Sequence, residues 1–508
     1  MESKVRVRFA PSPTGGLHLG GVRTVLFNYL FAKHHNGTFV LRIEDTDQSR
    51  FVPGAEQYIQ DTLAWCGLVP DESPLHGGPY APYRQSERKA IYKKYADQLV
   101  QNGQAYYAFD TSAELEAKRK EIPNFQYSRA YRMEMKNSIS LSEQEVASLL
   151  ANQTPYVIRI KMPDQEELMF EDVIRGEVKF DTSTVDDKVL LKADGMPTYH
   201  LAVVVDDYLM KITHAFRGEE WLPSAPVHIL LWKYLFGLDA MPKWAHLPLI
   251  LKPDGNGKLS KRDGDRLGFP VFAMDWTDPN THETTIGFKE KGFIPEAFVN
   301  LLALLGWNDG TDKEIFTMDE LIQGFSLDRV HKGGAKFDYE KAKWFNAEWI
   351  KKMDNEKLAQ LVSPYLNEAG LEIHEPSYLV EVVSLVKERC TLLTDFVMQS
   401  AFFFKAPTTI DTAAITPKWD SNKAAFFKAL VDQYQDKIKQ GSDSLPAETL
   451  ESDFKELVAQ HQLKAGELML PFRIMLVGGK FGPGVFDIVR LIGLQDTMTR
   501  ITHCLALL

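Results

Sequence analysis

The sequence predicts an α/β domain in two halves, separated by an inserted segment and followed by a helical third. Three observations support this prediction. The chain opens with a strand, a glycine-rich turn and a helix, a charge-rich stretch interrupts the α/β pattern, and helical periodicity dominates after about Lys332. The 508 residues suffice for roughly three or four structural units.

The opening segment has the pattern of a βαβ unit. Valine and arginine alternate over Lys4–Ala10, which is typical of a strand, and Pro11–Gly16 is a turn-rich breaker. Apolar residues at helical spacing follow, and Thr38–Ile43 indicates a second strand. Two strands joined by a helix favour a right-handed crossover and a parallel pair.

The rest of the chain divides by composition. A helical run at Ser112–Lys120 and a short strand at Tyr156–Lys161 lie in the charge-rich stretch, and α/β character returns with strand candidates at 203–218 and 244–251. Helical spacing is clear at 341–353, 378–404, 419–440 and 486–507. The predicted boundaries are 1–104 and 194–251 for the two α/β halves, 105–193 for the insert, 252–331 for a loop region and 332–508 for the helical domain.

Composition excludes several classes of protein. The chain is 44% hydrophobic and 25% charged, close to the globular average, so a mostly disordered chain is excluded. No run reaches the ~18–20 apolar residues of a transmembrane helix, and the first residues lack a secretory signal core, so we expect a cytoplasmic protein. The net charge of −11 excludes a histone-like polycation, and three distant cysteines cannot form a disulfide framework.

The first glycine-rich loop is a candidate anion site. His18-Leu19-Gly20-Gly21 stands where a helix N-terminus points at the loop, and free N–H groups there favour phosphates. His18 lies within reach of such a group. The spacing fits neither the Walker A pattern nor GxGxxG, and taken alone the segment is more often a simple turn.

A second candidate is the basic loop Asp254–Gly264. Its glycines allow movement, and Lys258, Lys261 and Arg262 supply positive charge for a phosphate whose own charge shifts during reaction. Taken alone, such a segment is more often a solvated basic turn.

Two arginines are candidate carboxylate receptors. Arg217 stands beside Gly218 at a predicted strand end, where its guanidinium could present two donors to a carboxylate. Arg8 lies in the first strand and needs a partner, for which Glu44 or Asp45 is the simplest structural choice.

Taken together, these segments carry a specific resemblance. They occur in one order along the chain: RFAPSPTGGLHLGG (8–21), RIEDTD (42–47), PTYHLAVVVDD (197–207), FRGEEWLPSAP (216–226), HLPLIL (246–251) and KLSKRDGD (258–265). The set resembles the glutamyl-tRNA synthetases of bacterial and organellar type, which are class I aminoacyl-tRNA synthetases. The segment GPGVFDIVRLIGL extends the resemblance to the helical third.

The resemblance implies a fold and a reaction. The fold is an α/β Rossmann-like class I synthetase catalytic domain with an α+β insertion that binds the acceptor stem, followed by an all-α C-terminal anticodon-binding domain. The reaction forms glutamyl-adenylate from glutamate and ATP with Mg²⁺, then transfers glutamate to the 3′ end of glutamate tRNA. Relatives are mostly monomers, so a monomer is expected.

The resemblance also implies roles for individual residues. It assigns Ser12, His18, Gly20, Gly21, Glu220 and Lys261 to ATP binding. It assigns Arg8, Ala10, Ser12, Glu44, Tyr199 and Arg217 to glutamate binding. It makes His18, Gly21, Lys258, Ser260 and Lys261 the catalytic set. Candidate tRNA contacts in the helical third are Arg389, Arg473, Lys480 and Phe481.

One departure from the family concerns zinc. Some relatives hold zinc in the insert through a Cys-Tyr-Cys element, whereas this chain has Ala105-Tyr106-Tyr107, and Ser128–Arg132 also lacks cysteine. Without thiolates, we expect no structural zinc and no other protein-bound metal.

Three alternatives remain open. The enzyme could charge only glutamate tRNA, or glutamine tRNA as well. A non-catalytic RNA-binding homologue is disfavoured because HLGG and KLSKR are both intact. A small-molecule nucleotidyltransferase of the same superfamily would not need the helical third.

Overall fold

A computed structural model describes residues 4–508, so the first three residues of the predicted 1–104 domain lie outside it. The described chain forms two compact units. The first comprises residues 4–290 with Phe298–Tyr339, and the second comprises Lys291–Ala297 with Glu340–Leu508. The predicted change from an α/β chain to a helical one is confirmed.

All strands belong to the first unit. They are β1 Arg6–Phe9, β2 Thr38–Leu41, β3 Ala105–Ala108, β4 Val157–Ile160, β5 Glu167–Asp172, β6 Gly176–Asp181, β7 Val189–Leu191, β8 His214–Gly218, β9 Lys243–Leu247, β10 Ile250–Leu251, β11 Trp276–Thr277, β12 Thr284–Thr285 and β13 Ala335–Lys336. This statement covers residues 4–508, the part that the structure describes.

The main sheet has six strands in the order β2-β1-β8-β9-β5-β6. Strands β2, β1, β8, β9 and β5 run parallel, and β6 returns antiparallel to β5. The predicted βαβ unit is present, with Val7 opposite Phe39 in the β1–β2 register. The carboxyl ends of β1 and β8 therefore meet at one edge, which is where parallel α/β sheets place their ligands.

Both units contain helices. They are α1 Leu19–His34, α2 Ala55–Trp65, α3 Lys89–Gln101, α4 Ser112–Glu121, α5 Glu143–Ala151, α6 Tyr199–Leu209, α7 Ala225–Leu235, α8 Lys261–Leu267, α9 Pro295–Leu304, α10 Met318–Gly324, α11 Tyr339–Lys352, α12 Asn355–Glu368, α13 Pro376–Val386, α14 Asp395–Phe404, α15 Ser421–Lys439, α16 Ala447–Gln460, α17 Ala465–Val477 and α18 Val485–Leu505. None of the described helices is long and apolar enough to span a membrane.

One predicted strand was wrong over most of its length. The segment 203–218 forms the end of α6 and then a turn, and only its last five residues form β8. Residues Leu201–Asp207 are all buried, so this helix has no polar face and its apolar run carries no helical period. A short run rich in valine then has the appearance of a buried strand.

The predicted insert contributes to two sheets. Strands β3, β4 and β7 form a small antiparallel sheet of their own. The β5–β6 hairpin instead extends the main sheet, since Asp172 of β5 pairs with Trp244 of β9. The domain boundaries 105–193 and 194–251 stay predictions.

The second unit has its own apolar core, formed by buried side chains of α12–α18. The predicted helices at 341–353 and 419–440 are confirmed as α11 and α15. The prediction at 486–507 is confirmed as α18, except that Gly493 has a non-helical backbone (φ 82°, ψ 163°) and kinks the helix. The run 378–404 is divided between α13 and α14. The Asp395 carboxylate accepts the backbone N–H groups of Thr391 and Leu392, both at 2.8 Å, which stabilises the break before α14.

Candidate active site

A cavity of about 920 Å³ opens at the carboxyl ends of β1 and β8. Its size suits a small-molecule or cofactor site. Twelve of the predicted site residues line it: Arg8, Ala10, Ser12, His18, Gly20, Gly21, Glu44, Tyr199, Arg217, Glu220, Lys258 and Ser260. The fold thus brings residues from nearly the whole first half of the chain into one space. Lys261 lies just outside the lining.

His18 is the N-cap of α1. Its Nδ1 accepts the backbone N–H of Gly20 at 3.4 Å, and its ring lies edge-on to Phe272. Burial, reinforced by nearby Lys258, lowers the pKa of His18 to about 4, so the ring is neutral at pH 7. With Nδ1 accepting, the proton resides on Nε2, which is buried and has no protein partner among residues 4–508. Nε2 is therefore a donor available to a ligand.

The two glycines after His18 have different surroundings. A Cβ on Gly20 would meet nothing within 4 Å, whereas one on Gly21 would lie 2.6 Å from the Leu17 side chain. The absence of a side chain at Gly20 therefore serves no packing need within the described protein. It leaves the α1 N-terminus open to a group in the cavity.

Arg8 has a different partner from the two that the sequence suggested. Its Nε donates to the Asp207 carboxylate at 3.1 and 3.2 Å, and its Nη1 donates to the Phe216 carbonyl at 3.1 Å. The prediction of Glu44 or Asp45 as the partner of Arg8 was wrong, because the fold places the carboxylate of Asp207, near the end of α6, beside this arginine. Arg42 shares the same carboxylate through Nη1 at 2.9 Å. Burial alone would raise the pKa of Asp207, but Arg8 and Arg42 outweigh it and keep that pKa below its usual value.

Glu44 is a buried carboxyl group at the same end of the cavity. It accepts from Arg42 Nη2 at 3.2 Å. Burial raises the pKa of Glu44 to about 7, although Arg42 and Arg8 oppose the rise. A carboxylate with so little solvation favours a cationic ligand, whose charge would stabilise the ionised form.

Arg217 projects from the end of β8 and is 6% exposed. Its Nη1 donates to the Tyr199 hydroxyl at 3.2 Å and to His228 Nδ1 at 3.0 Å, and its guanidinium lies 4.6 Å from the Trp244 ring centre. Nε and Nη2 are buried and have no protein partner in the described chain. A buried guanidinium with an unsatisfied pair of donors is suited to a carboxylate ligand.

The basic loop lines a more exposed part of the cavity. Lys258 Nζ pairs with Glu220 Oε1 at 2.5 Å, with both side chains more than a third exposed. Ser260 and Asp263 form a capping box that starts α8, so the Ser260 hydroxyl donates within the loop. Lys261 is the first residue of this helix and is exposed.

The predicted tRNA contacts lie in the second unit. Arg473 Nη1 donates to the carbonyls of Phe481, Gly482 and Pro483, so part of this guanidinium holds the loop before α18. Burial, and then Arg389, lower the pKa of Arg473, which places the two arginines near each other. The side chains of Lys480 and Phe481 are exposed.

The segment that the resemblance compared with a zinc site contains a buried ion network. Tyr106, next to the predicted positions Ala105 and Tyr107, donates to Asp187 at 2.6 Å. Arg132 donates to the same carboxylate at 2.7 and 2.8 Å. Within residues 4–508 no group of three or more His, Cys, Asp or Glu side chains is arranged to hold a metal.

Sequence reasoning missed four residues of the site: Arg42, Asp207, His228 and Trp244. Asp207 was inside a quoted motif, but its pairing with Arg8 spans 199 positions and no local signal marks it. His228 lies 11 residues after Arg217 in the sequence, where α7 returns it to Arg217. Only the contact of α7 with the end of β8 reveals this pairing.

Comparison with known proteins gives a consistent result. A family model described as tRNA synthetases class I (E and Q), catalytic domain, matches residues 4–344. A second, described as anticodon binding domain, matches residues 357–505.

Individual relatives match along the whole chain. A glutamate–tRNA ligase of Phocaeicola vulgatus is 50% identical, covering 100% of this chain and 99% of the relative. A glutamate–tRNA ligase of Flavobacterium johnsoniae is 51% identical, with 100% of both chains covered. A crystal structure of a glutamate tRNA ligase from Elizabethkingia meningosepticum, in complex with its amino acid, superposes with a TM-score of 0.92 at 48% identity, covering 99% of each chain.

Proposed function

This chain belongs to the class I tRNA synthetases of the E and Q group, and from that membership we infer that it is a glutamate–tRNA ligase. One structural observation supports the inference most strongly. The unpartnered donors of Arg217, the carboxyl group of Glu44 and the N-terminus of α1 border a single cavity. A carboxylate receptor, an ammonium acceptor and a phosphate site are what the reaction requires together.

Glutamate binds at the buried end of the cavity in this proposal. Arg217 Nε and Nη2 donate to the side-chain carboxylate, and Arg8 adds positive charge nearby. The Tyr199 hydroxyl, which accepts from Arg217, donates its own proton to the same carboxylate. Glu44 accepts the substrate ammonium, and Ala10 and Ser12 line the path between the two groups.

MgATP binds at the exposed end. Ser12, His18, Gly20, Gly21 and Glu220 border its position, and the N–H groups of α1 face its phosphates. Magnesium enters with the nucleotide, held mainly by phosphate oxygens and water.

Adenylation then forms one bond and breaks one. An oxygen of the glutamate α-carboxylate attacks the α-phosphorus, and the bond from that phosphorus to the bridging oxygen breaks to release pyrophosphate. Lys258 in the basic loop and Lys261 at the start of α8, the helix that Ser260 caps, compensate the charge that gathers on pyrophosphate. His18 donates from Nε2 to a phosphate oxygen and gives up no proton.

Transfer to tRNA completes the reaction. A hydroxyl of the terminal ribose attacks the glutamyl carbonyl, its proton departs, and AMP leaves. The helical unit recognises the anticodon in this proposal, with Arg389, Lys480 and the free donors of Arg473 on phosphates and Phe481 stacked on a base.

The remaining expectations also stay proposals. A location in the cytoplasm would give the enzyme access to tRNA, ATP and glutamate together. A monomer contains every residue assigned above. The protein needs no structural zinc in this proposal, because the ion pair of Asp187 and Arg132 stabilises the segment instead. Elemental analysis should therefore find no stoichiometric zinc.

Aminoacylation tests the proposal directly. Purified protein is incubated with labelled glutamate, ATP and Mg²⁺, using glutamate tRNA and glutamine tRNA transcripts in separate reactions. Charging of glutamate tRNA is expected. Charging of both transcripts would identify a non-discriminating enzyme, and charging of neither by folded protein would contradict the proposal.

A further inference from the structure

The guanidinium of Arg217 is bonded on one side only. Nη1 makes two hydrogen bonds, to Tyr199 Oη at 3.2 Å and to His228 Nδ1 at 3.0 Å. The Nε–Nη2 edge lies on the opposite side of the planar group from Nη1 and has no protein partner within residues 4–508. The direction of that edge is therefore set by whatever holds Nη1.

The hydrogen bonds continue beyond Arg217 through two imidazoles. His228 Nε2 lies 3.1 Å from His200 Nδ1. Arginine can only donate, so His228 Nδ1 must accept and the proton of His228 must reside on Nε2. That proton is donated to His200 Nδ1, so the His200 proton resides on Nε2. The chain Arg217–His228–His200 has one consistent direction, and both rings are neutral in it.

Burial makes this arrangement hard to replace. His228 is 1% exposed, and Trp244 lies against one face of the Arg217 guanidinium. Burial, and then the positive charge of Arg217, hold the pKa of His228 well below its usual value, which agrees with a neutral acceptor. In such a buried site the hydrogen bonds of Nη1 are stronger than they would be in water.

We propose that His228, oriented by His200, is a positioning residue for glutamate selection. It holds Arg217 so that the Nε–Nη2 edge meets the substrate side-chain carboxylate. This inference rests on the proposed function and extends it to a residue that does not touch the substrate.

The same chain determines which substrates are rejected. Because Nη1 donates to a lone pair of the Tyr199 oxygen, the Tyr199 hydroxyl can still donate its own proton to a ligand. Arg217 and Tyr199 then present only donors to the ligand. A carboxylate supplies acceptors for all of them, whereas the amide nitrogen of glutamine places a donor against a donor.

Two variants at one position test the role of His228. In His228→Leu the acceptor for Nη1 is lost, while in His228→Asn the amide oxygen stands close to the former Nδ1 position. Aminoacylation kinetics at saturating tRNA would give KM for glutamate, KM for ATP and kcat separately. His228→Leu should raise KM for glutamate at least about tenfold, as for a lost hydrogen bond to a charged group, with KM for ATP within about twofold. His228→Asn should restore most of the loss.

Further controls separate positioning from folding. His214→Leu alters a histidine on the same strand as Arg217 whose Nδ1 lies 3.0 Å from the Thr213 hydroxyl, and it should leave both KM values near those of the parent enzyme. His200→Leu removes the second ring and should raise KM for glutamate less than His228→Leu does. Misacylation with labelled glutamine should increase relative to glutamate in His228→Leu.

The outcomes are distinguishable. Equal losses for glutamate and ATP, an unchanged KM for glutamate, or a His228→Asn variant as impaired as His228→Leu would overturn the role of His228. If His228→Leu does not fold, the His228→Asn and His200→Leu results decide. Failure of the parent enzyme to charge tRNA would instead overturn the proposed function.

Discussion

The two ends of the cavity are built differently. At the glutamate end, Arg8, Arg42 and Asp207 are almost fully buried and each guanidinium has a fixed partner. At the loop end, Lys258 and Glu220 form an exposed ion pair. The segment that contains Lys258 has glycines on both sides. Both ends contain paired charges, but the pairs at the first are buried and the pair at the second is exposed.

The contrast matches two requirements of one reaction. Selecting glutamate over glutamine needs donors held in a fixed direction, because a mobile arginine would adapt to either substrate. Compensating the charge on departing pyrophosphate needs cations that can move with it. In the proposed function, the buried network serves the first requirement and the exposed loop serves the second.

The largest expected effect comes from breaking the buried network. In Asp207→Asn, Arg8 and Arg42 lose a shared carboxylate, and unfolding of the first unit should become easier by about 3–5 kcal/mol. Urea denaturation followed by tryptophan fluorescence would measure this loss. The matched control is Glu220→Gln at the exposed pair, where the change should stay below about 1 kcal/mol. Equal destabilisation by the two variants would remove the distinction between the two ends.

The next effect concerns Lys261, at the end of the basic loop. Lys261→Ala should slow tRNA-dependent adenylation by about 10²–10³-fold, because one charge on the transition state is no longer compensated. Its affinity for tRNA and its unfolding midpoint should stay near those of the parent, since Lys261 is exposed. Pyrophosphate exchange and a tRNA binding titration give the two quantities. A collapse of tRNA binding with an unchanged rate would assign the loop a different role.

A pH profile probes the glutamate end. The pKa of Glu44 is raised to about 7, so in the free enzyme the group is protonated and neutral below that pH. A neutral carboxyl cannot pair with the substrate ammonium, and kcat/KM for glutamate should fall about tenfold per pH unit below 7. Glu44→Gln should be impaired at neutral pH but lack this slope. The same slope in both proteins would show that another group titrates.

The smallest effect concerns the α1 N-terminus. Gly20→Ala places a methyl group where the protein leaves open space, so folding should be unaffected while KM for ATP rises about tenfold through contact with the phosphates. Gly466→Ala is the matched control. Gly466 is also the second residue of a helix with nothing within 4 Å, and it lies in the second unit. A KM for ATP unchanged in Gly20→Ala would place the nucleotide elsewhere.

The sequence predicted local structure well where periodicity was clear. The strand at β1, the helix α1 and the helices α11, α15 and α18 were all predicted from spacing. It failed at α6, because full burial removes the amphipathic pattern. It also failed at the middle of 378–404, where a single carboxylate, Asp395, stabilises the break.

The candidate site shows the same division. Motifs identified twelve of the residues that line the cavity, since these stand in short segments with distinctive composition. The partners that orient those residues were not identified. Asp207 lies 199 positions from its partner Arg8, and His228 lies 11 positions from its partner Arg217. No spacing rule relates a buried arginine to a residue that folding brings beside it.

The β5–β6 hairpin has a consequence for how this protein can be rearranged. Although its chain segment belongs to the predicted insert, β5 covers the edge of β9, and Asp172 binds His246 Nδ1 at 2.6 Å. Trp244 of the same strand supports Arg217. Removal of residues 105–193 would therefore leave the edge of β9 bare beside the cavity, because β5 and β6 belong to that segment. A workable chimera has to keep Glu167–Asp181 with the catalytic sheet and join the foreign piece on either side of it.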